Sequence, residues 1–357
     1  MTHVRFDREM TSIVKGFAIF FMMLLHCYHS EGNYDVQLNF ANSLTPVHTV
    51  FKICVGMFVF MVGYGYSFSK TKDFRYSVQH IKKLLIPFWT ILFVLTLPVC
   101  FKEVMSDSIV RVLLNLVGID SHYNWYSWFV YFFIYAMAVM PFFSRFINRK
   151  PVRNTAIIVI ASTILAVLFH EIPRFASMFF GAHLPPIVEN KPILAFFNCL
   201  LMTPGMVLGY LFAHKSYYER ISITGWPRLW IAIACISVMI LTLVVRHWFG
   251  SIYNFFQMDL FYAPLMIGTI VVLFNTIKCE PLRKALVKLG EVSVYMWFFH
   301  ALFYTEAVRW FYQPAITIFK DINLVVIWTI LITFLSSWMM KTIVDHITRL
   351  LTKSYGG

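Results

Sequence analysis

The sequence predicts an all-α integral membrane protein, with about ten transmembrane helices forming one bundle around a polar chamber. Three observations lead there. First, the 357 residues are 59% hydrophobic and 13% charged, with mean hydropathy +0.69, too little polar surface for a water-soluble domain. Second, apolar stretches long enough to cross ~30 Å of hydrocarbon recur at 11–29, 47–69, 81–101, 125–147, 154–170, 193–213, 229–246, 259–277, 291–312 and 322–344. Third, Lys and Arg alternate by side. With a cytoplasmic N-terminus, 21 of them fall in inner segments and 7 in outer ones, and Lys15 and Lys52 lie within spans. Positive loops stay inside, which sets both termini in the cytoplasm. The same bias explains the formal net charge of +13 without a nucleic-acid partner. No repeat or soluble segment interrupts the pattern, so 1–357 reads as a single transmembrane domain.

The first span follows Arg5 and Arg8 and has no small-residue cleavage site, so it reads as a retained helix rather than a signal peptide. It carries two groups foreign to lipid, Lys15 and His26. Eleven residues apart, they share one helical stripe with a rise of roughly 16 Å. Ionisable groups at membrane depth default to functional candidates. His26, in the outer half, is either a packing histidine bonded to a carbonyl or a general base toward a hydroxyl. Lys15, one turn from the cytoplasm, either snorkels to the interface or contacts a phosphate.

In the second span, Gly63 and Gly65 flank Tyr64 and suit close helix approach. The inner loop after it brings together Lys70, Lys72, Arg75, Lys82 and Lys83, a cluster that fixes topology or draws an anionic, nucleotide-like donor. Pro87 in the third span allows a kink that would open a passage from the cytoplasm. The stretch 103–120 is amphipathic and belongs at the interface. The fourth span opens on SHYNWYSWF, where Tyr123, Asn124 and Trp128 are belt residues or hold a sugar between an amide and an aromatic plane. Residues 170–192 are proline-containing and read as an ordered loop. The ninth span carries His300 at a depth comparable with His26, and Glu306 and Arg309 spaced to satisfy each other. The six cysteines form no ligand or disulfide pattern, so neither a zinc site nor a disulfide framework is expected.

Five segments in order, VKGFAIFFMMLLH (14–26), CVGMFVFMVGYGYSFSK (54–70), IKKLLIPFW (81–89), YNWYSWF (123–129) and LGEVSVYMWFFH (289–300), resemble the membrane-bound acyltransferase-3 family. Within it they are most similar to enzymes that O-acetylate capsular and other surface glycans. The resemblance implies transfer of an acetyl group from cytoplasmic acetyl-CoA to a sugar hydroxyl, with no permanently bound cofactor, in a bacterial inner membrane. The acceptor would be a glycan, lipid-linked or polymerised; membrane lipids surround the protein, and homo-oligomer formation is open. The family's essential histidine falls on His26, and His300 is a second catalytic candidate. Its basic residue eleven positions before the histidine is commonly Arg and here is Lys15, which lacks the bidentate fork. Donor contacts would come from Lys15, Lys70, Lys72, Arg75, Lys82 and Lys83, and acceptor contacts from Tyr123, Asn124, Trp128 and Glu306. The acidic residue often found in YN-x-x-W-F is absent, with Tyr126 or Ser127 in its place. No esterase-like extension follows the tenth span. A flippase for a lipid-linked glycan would share the spans and the chamber but need no thioester.

Overall fold

The computed structural model of the chain describes residues 4–29, 31–69, 71–180, 191–223, 225–253 and 259–354. Thirteen α-helices follow in order: α1 (Arg8–Cys27), α2 (Ile53–Ser67), α3 (Phe74–Ile91), α4 (Phe101–Ser106), α5 (Ile109–Leu116), α6 (Trp128–Arg149), α7 (Pro151–Phe180), α8 (Lys191–His214), α9 (Arg228–Tyr253), α10 (Asp259–Thr276), α11 (Glu280–His300), α12 (Glu306–Tyr312) and α13 (Ile322–Ser354). An isolated β-bridge joins Asn39 and Asp321. Ten helices, all but α4, α5 and α12, are long and apolar enough to cross a membrane. Helices satisfy their backbone internally, which lipid requires. Asp7 and Asp73 cap α1 and α3 through the backbone N–H groups of Met10 (3.0 Å) and Tyr76 (2.9 Å).

Burial sorts the ten into an inner and an outer set. The most apolar windows of α1, α2 and α11 are 67%, 72% and 67% buried, whereas that of α9 is 17% buried. Residues such as Ile236, Ile240, Leu241 and Val244 leave α9 a broad lipid-facing surface. Glycine makes the inner contacts possible. A Cβ on Gly63 would lie 1.8 Å from the carbonyl oxygen of Met206, and one on Gly209 would lie 2.0 Å from that of Phe60, so α2 and α8 cross backbone to backbone. Gly16 and Gly290 do the same for α1 and α11, against the carbonyls of Leu286 (2.2 Å) and Ser12 (1.9 Å). Gly65, by contrast, faces open space.

Several expected boundaries move. The ninth span begins at Glu280, so Arg283, Lys284 and Lys288 ride on α11 itself, and it stops at His300 in a 3-10 turn over Ala301–Phe303. His300 therefore sits at a helix end rather than mid-span. The interfacial stretch is two short helices, α4 and α5, the second capped by Ser108 and exposing Ile109, Val110 and Leu113. The loop expected at 170–192 is partly helix, because α7 continues to Phe180; 181–190 lie outside the described residues, as does Lys70. Pro87 is buried inside α3, which ends in a π turn at Leu92–Thr96. Arg309 pairs with Asp35 at 3.2 Å instead of with Glu306.

Gly63→Ala is expected to force α2 and α8 apart and to cost about 1–3 kcal/mol, read as a lower melting temperature in detergent. Gly65→Ala on the same helix is expected to leave that temperature unchanged.

Candidate active site

Successive crossings alternate direction, so α1 and α11, the first and ninth, run parallel. His26 and His300 lie at the same end of this pair. Their ring centroids are 5.2 Å apart. The ring of Tyr126, from the 3-10 turn Trp125–Ser127 ahead of α6, lies against both, at 4.1 Å from His26 and stacked at 4.6 Å on His300. Its hydroxyl is 2.9 Å from His26 Nδ1. Trp297 Nε1 donates to the Tyr126 carbonyl (2.9 Å) and fixes the turn.

The two histidines differ in access. His300 is fully buried; its Nδ1 donates to the Met296 carbonyl (3.1 Å), which leaves Nε2 an acceptor without a partner among the described residues. His26 is partly exposed and lines a cavity of about 340 Å³ together with Lys52, Trp125, Tyr126 and Trp128. That volume is in the range of about 300–1,000 Å³ usual for small-ligand sites. A second cavity of about 460 Å³ shares Trp125, Trp128, Asn198 and Met202 with it, so the two adjoin. The second is the more polar of the two, with Asp120, His122, Lys191 and Glu306 in its wall. Lys191 pairs with Asp120, and His122 Nε2 meets Glu103 at 2.6 Å.

The remaining sequence candidates are scattered. Trp128 and Glu306 line the outer cavity, and Trp128 reaches the inner one. Tyr123 is fully buried and donates to Asp107, which belongs to the interfacial region beside α5. Burial and the Asp107 carboxylate raise the Tyr123 phenol well above its usual range, while the Tyr123 hydrogen bond holds Asp107 below the usual carboxylate range. Tyr123 thus braces the turn and is in the wall of neither of these two cavities. Asn124 does not share a helical face with Trp128, because it precedes the helix in an extended conformation; it is buried, with Nδ2 donating to the Phe298 carbonyl (3.4 Å) and Oδ1 without a partner among the described residues. Trp125, not Asn124, is the residue that joins Trp128 at the cavity.

On the other end of the bundle Lys15 is half-buried on α1, and no carboxylate pairs with it among the described residues. Lys72 lies over the ring of Tyr210, 5.4 Å from its centroid, and Arg75, Lys82 and Lys83 are exposed. Two residues of the site went unrecognised in the sequence, Tyr126 as the partner of His26 and Lys52 as a cavity residue.

The model of a family described as an acyltransferase domain matches residues 12–342, a region that takes in Lys15, His26, Tyr126 and His300. No curated protein and no solved structure matches the chain. The extent of that match, on a bundle whose first and ninth spans bring two histidines together, shows that the chain belongs to the membrane-bound acyltransferase-3 family and is an acyltransferase.

Proposed function

We propose that the protein transfers an acetyl group from cytoplasmic acetyl-CoA to a hydroxyl of a surface or lipid-linked glycan, with His26 as general base. The observation that carries this reading is the placement of His26. Its imidazole lines a cavity walled by three indoles, those of Trp125, Trp128 and Trp297, and the Tyr126 hydroxyl holds one of its nitrogens. With the positive-inside orientation this cavity faces out of the cell and Lys15 faces in. The protein would then sit in the bacterial inner membrane.

In the base-competent tautomer, His26 Nδ1–H donates to the Tyr126 oxygen and Nε2 carries the lone pair. Nε2 takes the proton of the acceptor hydroxyl as its oxygen attacks the thioester carbonyl. The tetrahedral adduct collapses, the C–S bond breaks, and the imidazolium returns the proton to the departing thiolate. Free coenzyme A and the acetyl ester result, and no acyl-enzyme is required. Lys15 supports the donor side, because a cation at this depth with no carboxylate paired to it among the described residues suits a phosphate. Lys72, Arg75, Lys82 and Lys83 would add to that attraction at the inner surface; Trp128 and Glu306 would meet the acceptor. His300 backs the Tyr126 ring and so sets where its hydroxyl points.

His26→Ala is expected to lower transfer of labelled acetyl from acetyl-CoA to glycan by about 10²–10⁴-fold, with coenzyme A binding intact; undiminished transfer would end the base assignment. Lys15→Met is expected to weaken coenzyme A binding about tenfold by titration of the purified protein, and Lys15→Arg to restore it. Tyr126→Phe is expected to lower kcat about tenfold with little change in KM for the acceptor.

A further inference from the structure

We infer that the acceptor binds as two linked sugar units, the reacting ring beside His26 and its neighbour in the outer cavity, with Asn198 reading the linkage between them. The inference deepens the acceptor reading proposed above and rests on it. Trp125, Trp128, Asn198 and Met202 stand in the walls of both cavities, the inner of about 340 Å³ and the outer of about 460 Å³, so the two meet along a shared seam.

Asn198 is the polar member of that seam. It lies seven residues into α8, about 10 Å of helix from its outer end, between Phe197 and Cys199 in an otherwise apolar stretch. A polar side chain at such depth is costly in lipid and defaults to a functional role. Asn198 is exposed, and it reaches both cavities. Its amide offers two donors and an acceptor, so it can bond hydroxyls on either side of a glycosidic oxygen.

The seam is held in fixed relation to His26. The backbone N–H of Trp125 donates to the hydroxyl of Thr305 (3.1 Å), the residue before Glu306 in the outer wall, and the Trp297 indole holds the Tyr126 carbonyl (2.9 Å). Further along the two helices, the hydroxyls of Tyr135 and Thr203 meet at 2.9 Å and tie α6 to α8. A ring seated in the outer cavity therefore fixes how far the next ring reaches toward the imidazole.

The outer cavity has the lining a second sugar needs. Trp125, Trp128 and Tyr131 offer ring faces to its C–H surfaces, and Ser121 and Glu306 offer oxygens to its hydroxyls. Binding energy from a part of the substrate that does not react goes into orienting the part that does. The neighbouring unit thus raises transfer and not affinity alone, whereas a mere vestibule would leave one sugar as good an acceptor as two.

Surface glycan from the source cells is freed of esters with mild base and cut by partial acid hydrolysis, and fragments of one, two and four sugars are purified. The full-length protein in nanodiscs receives labelled acetyl-CoA and each fragment. The best two-sugar fragment is expected to exceed the best single sugar in kcat/KM by at least about tenfold, with four sugars within about twofold of two. Asn198→Leu, or Asn198→Ala should the first not fold, is expected to bring the ratio of two sugars to one down to about unity. Leu194→Trp, which fills the outer cavity, is expected to do the same. Equal kcat/KM for one and two sugars overturns the inference, and so does an advantage that survives either substitution. Fragment binding is followed by tryptophan fluorescence in the same preparations. Transfer without a length preference overturns this inference alone. Tighter binding of two sugars with no transfer to any fragment overturns the enzymatic reading and leaves the two-unit site standing.

Discussion

The site depends on the parallel packing of α1 against α11. Gly16 faces Leu286 and Gly290 faces Ser12 with no side chain between the backbones. Gly16 and Gly290 are 274 residues apart in the chain, and so are His26 and His300. A parallel pair keeps its offset along its length, so the register set by the glycines at one end is the register that brings the imidazoles together at the other. The distance from Gly16 to His26 is ten residues, or about 15 Å of helix. Small residues here do what a hydrophobic core does in water. Lipid is as apolar as leucine and gives no drive for burial, so close backbone contact holds the helices together.

Polar groups then divide by depth. At the cavity end, the Tyr126 hydroxyl meets His26 and the Trp297 indole meets the Tyr126 carbonyl, so turn, base and ninth span form one hydrogen-bonded unit. Outside it, Asp107, Arg111, Asp120 and Lys191 form an ionic rim near the membrane surface. Arg111 and Lys191 reach solvent there, whereas the carboxylates they hold are largely covered. The outer cavity beside them is more polar than the inner one.

Much of this was legible from residue order alone. The ten spans follow from hydropathy, and His26 stood out because an imidazole inside an apolar helix needs a reason. Boundaries were harder where charge and helix coincide. Arg283, Lys284 and Lys288 belong to α11 although their segment is not apolar, and hydropathy registers only the part of a helix that meets lipid. Asn124 was misplaced because a 3-10 turn and an extended residue precede α6, a change of geometry that spacing alone does not reveal. The contact between His26 and Tyr126 joins residues 100 apart, beyond any periodicity, yet one sign of it was present. Where the resemblance leads one to expect an acidic residue this chain has Tyr126 or Ser127, and the structure puts the Tyr126 side chain on the histidine. Lys52 gave no such sign, since a lysine at a span end looks like any interfacial anchor.

The register held by Gly16 and Gly290 also limits how the chain can diverge. One residue inserted or deleted between Gly16 and His26 would rotate the imidazole by about 100° around its axis, away from its neighbours. Insertions and deletions are therefore confined to the connectors, while the tally of positions within the first and ninth spans must stay fixed.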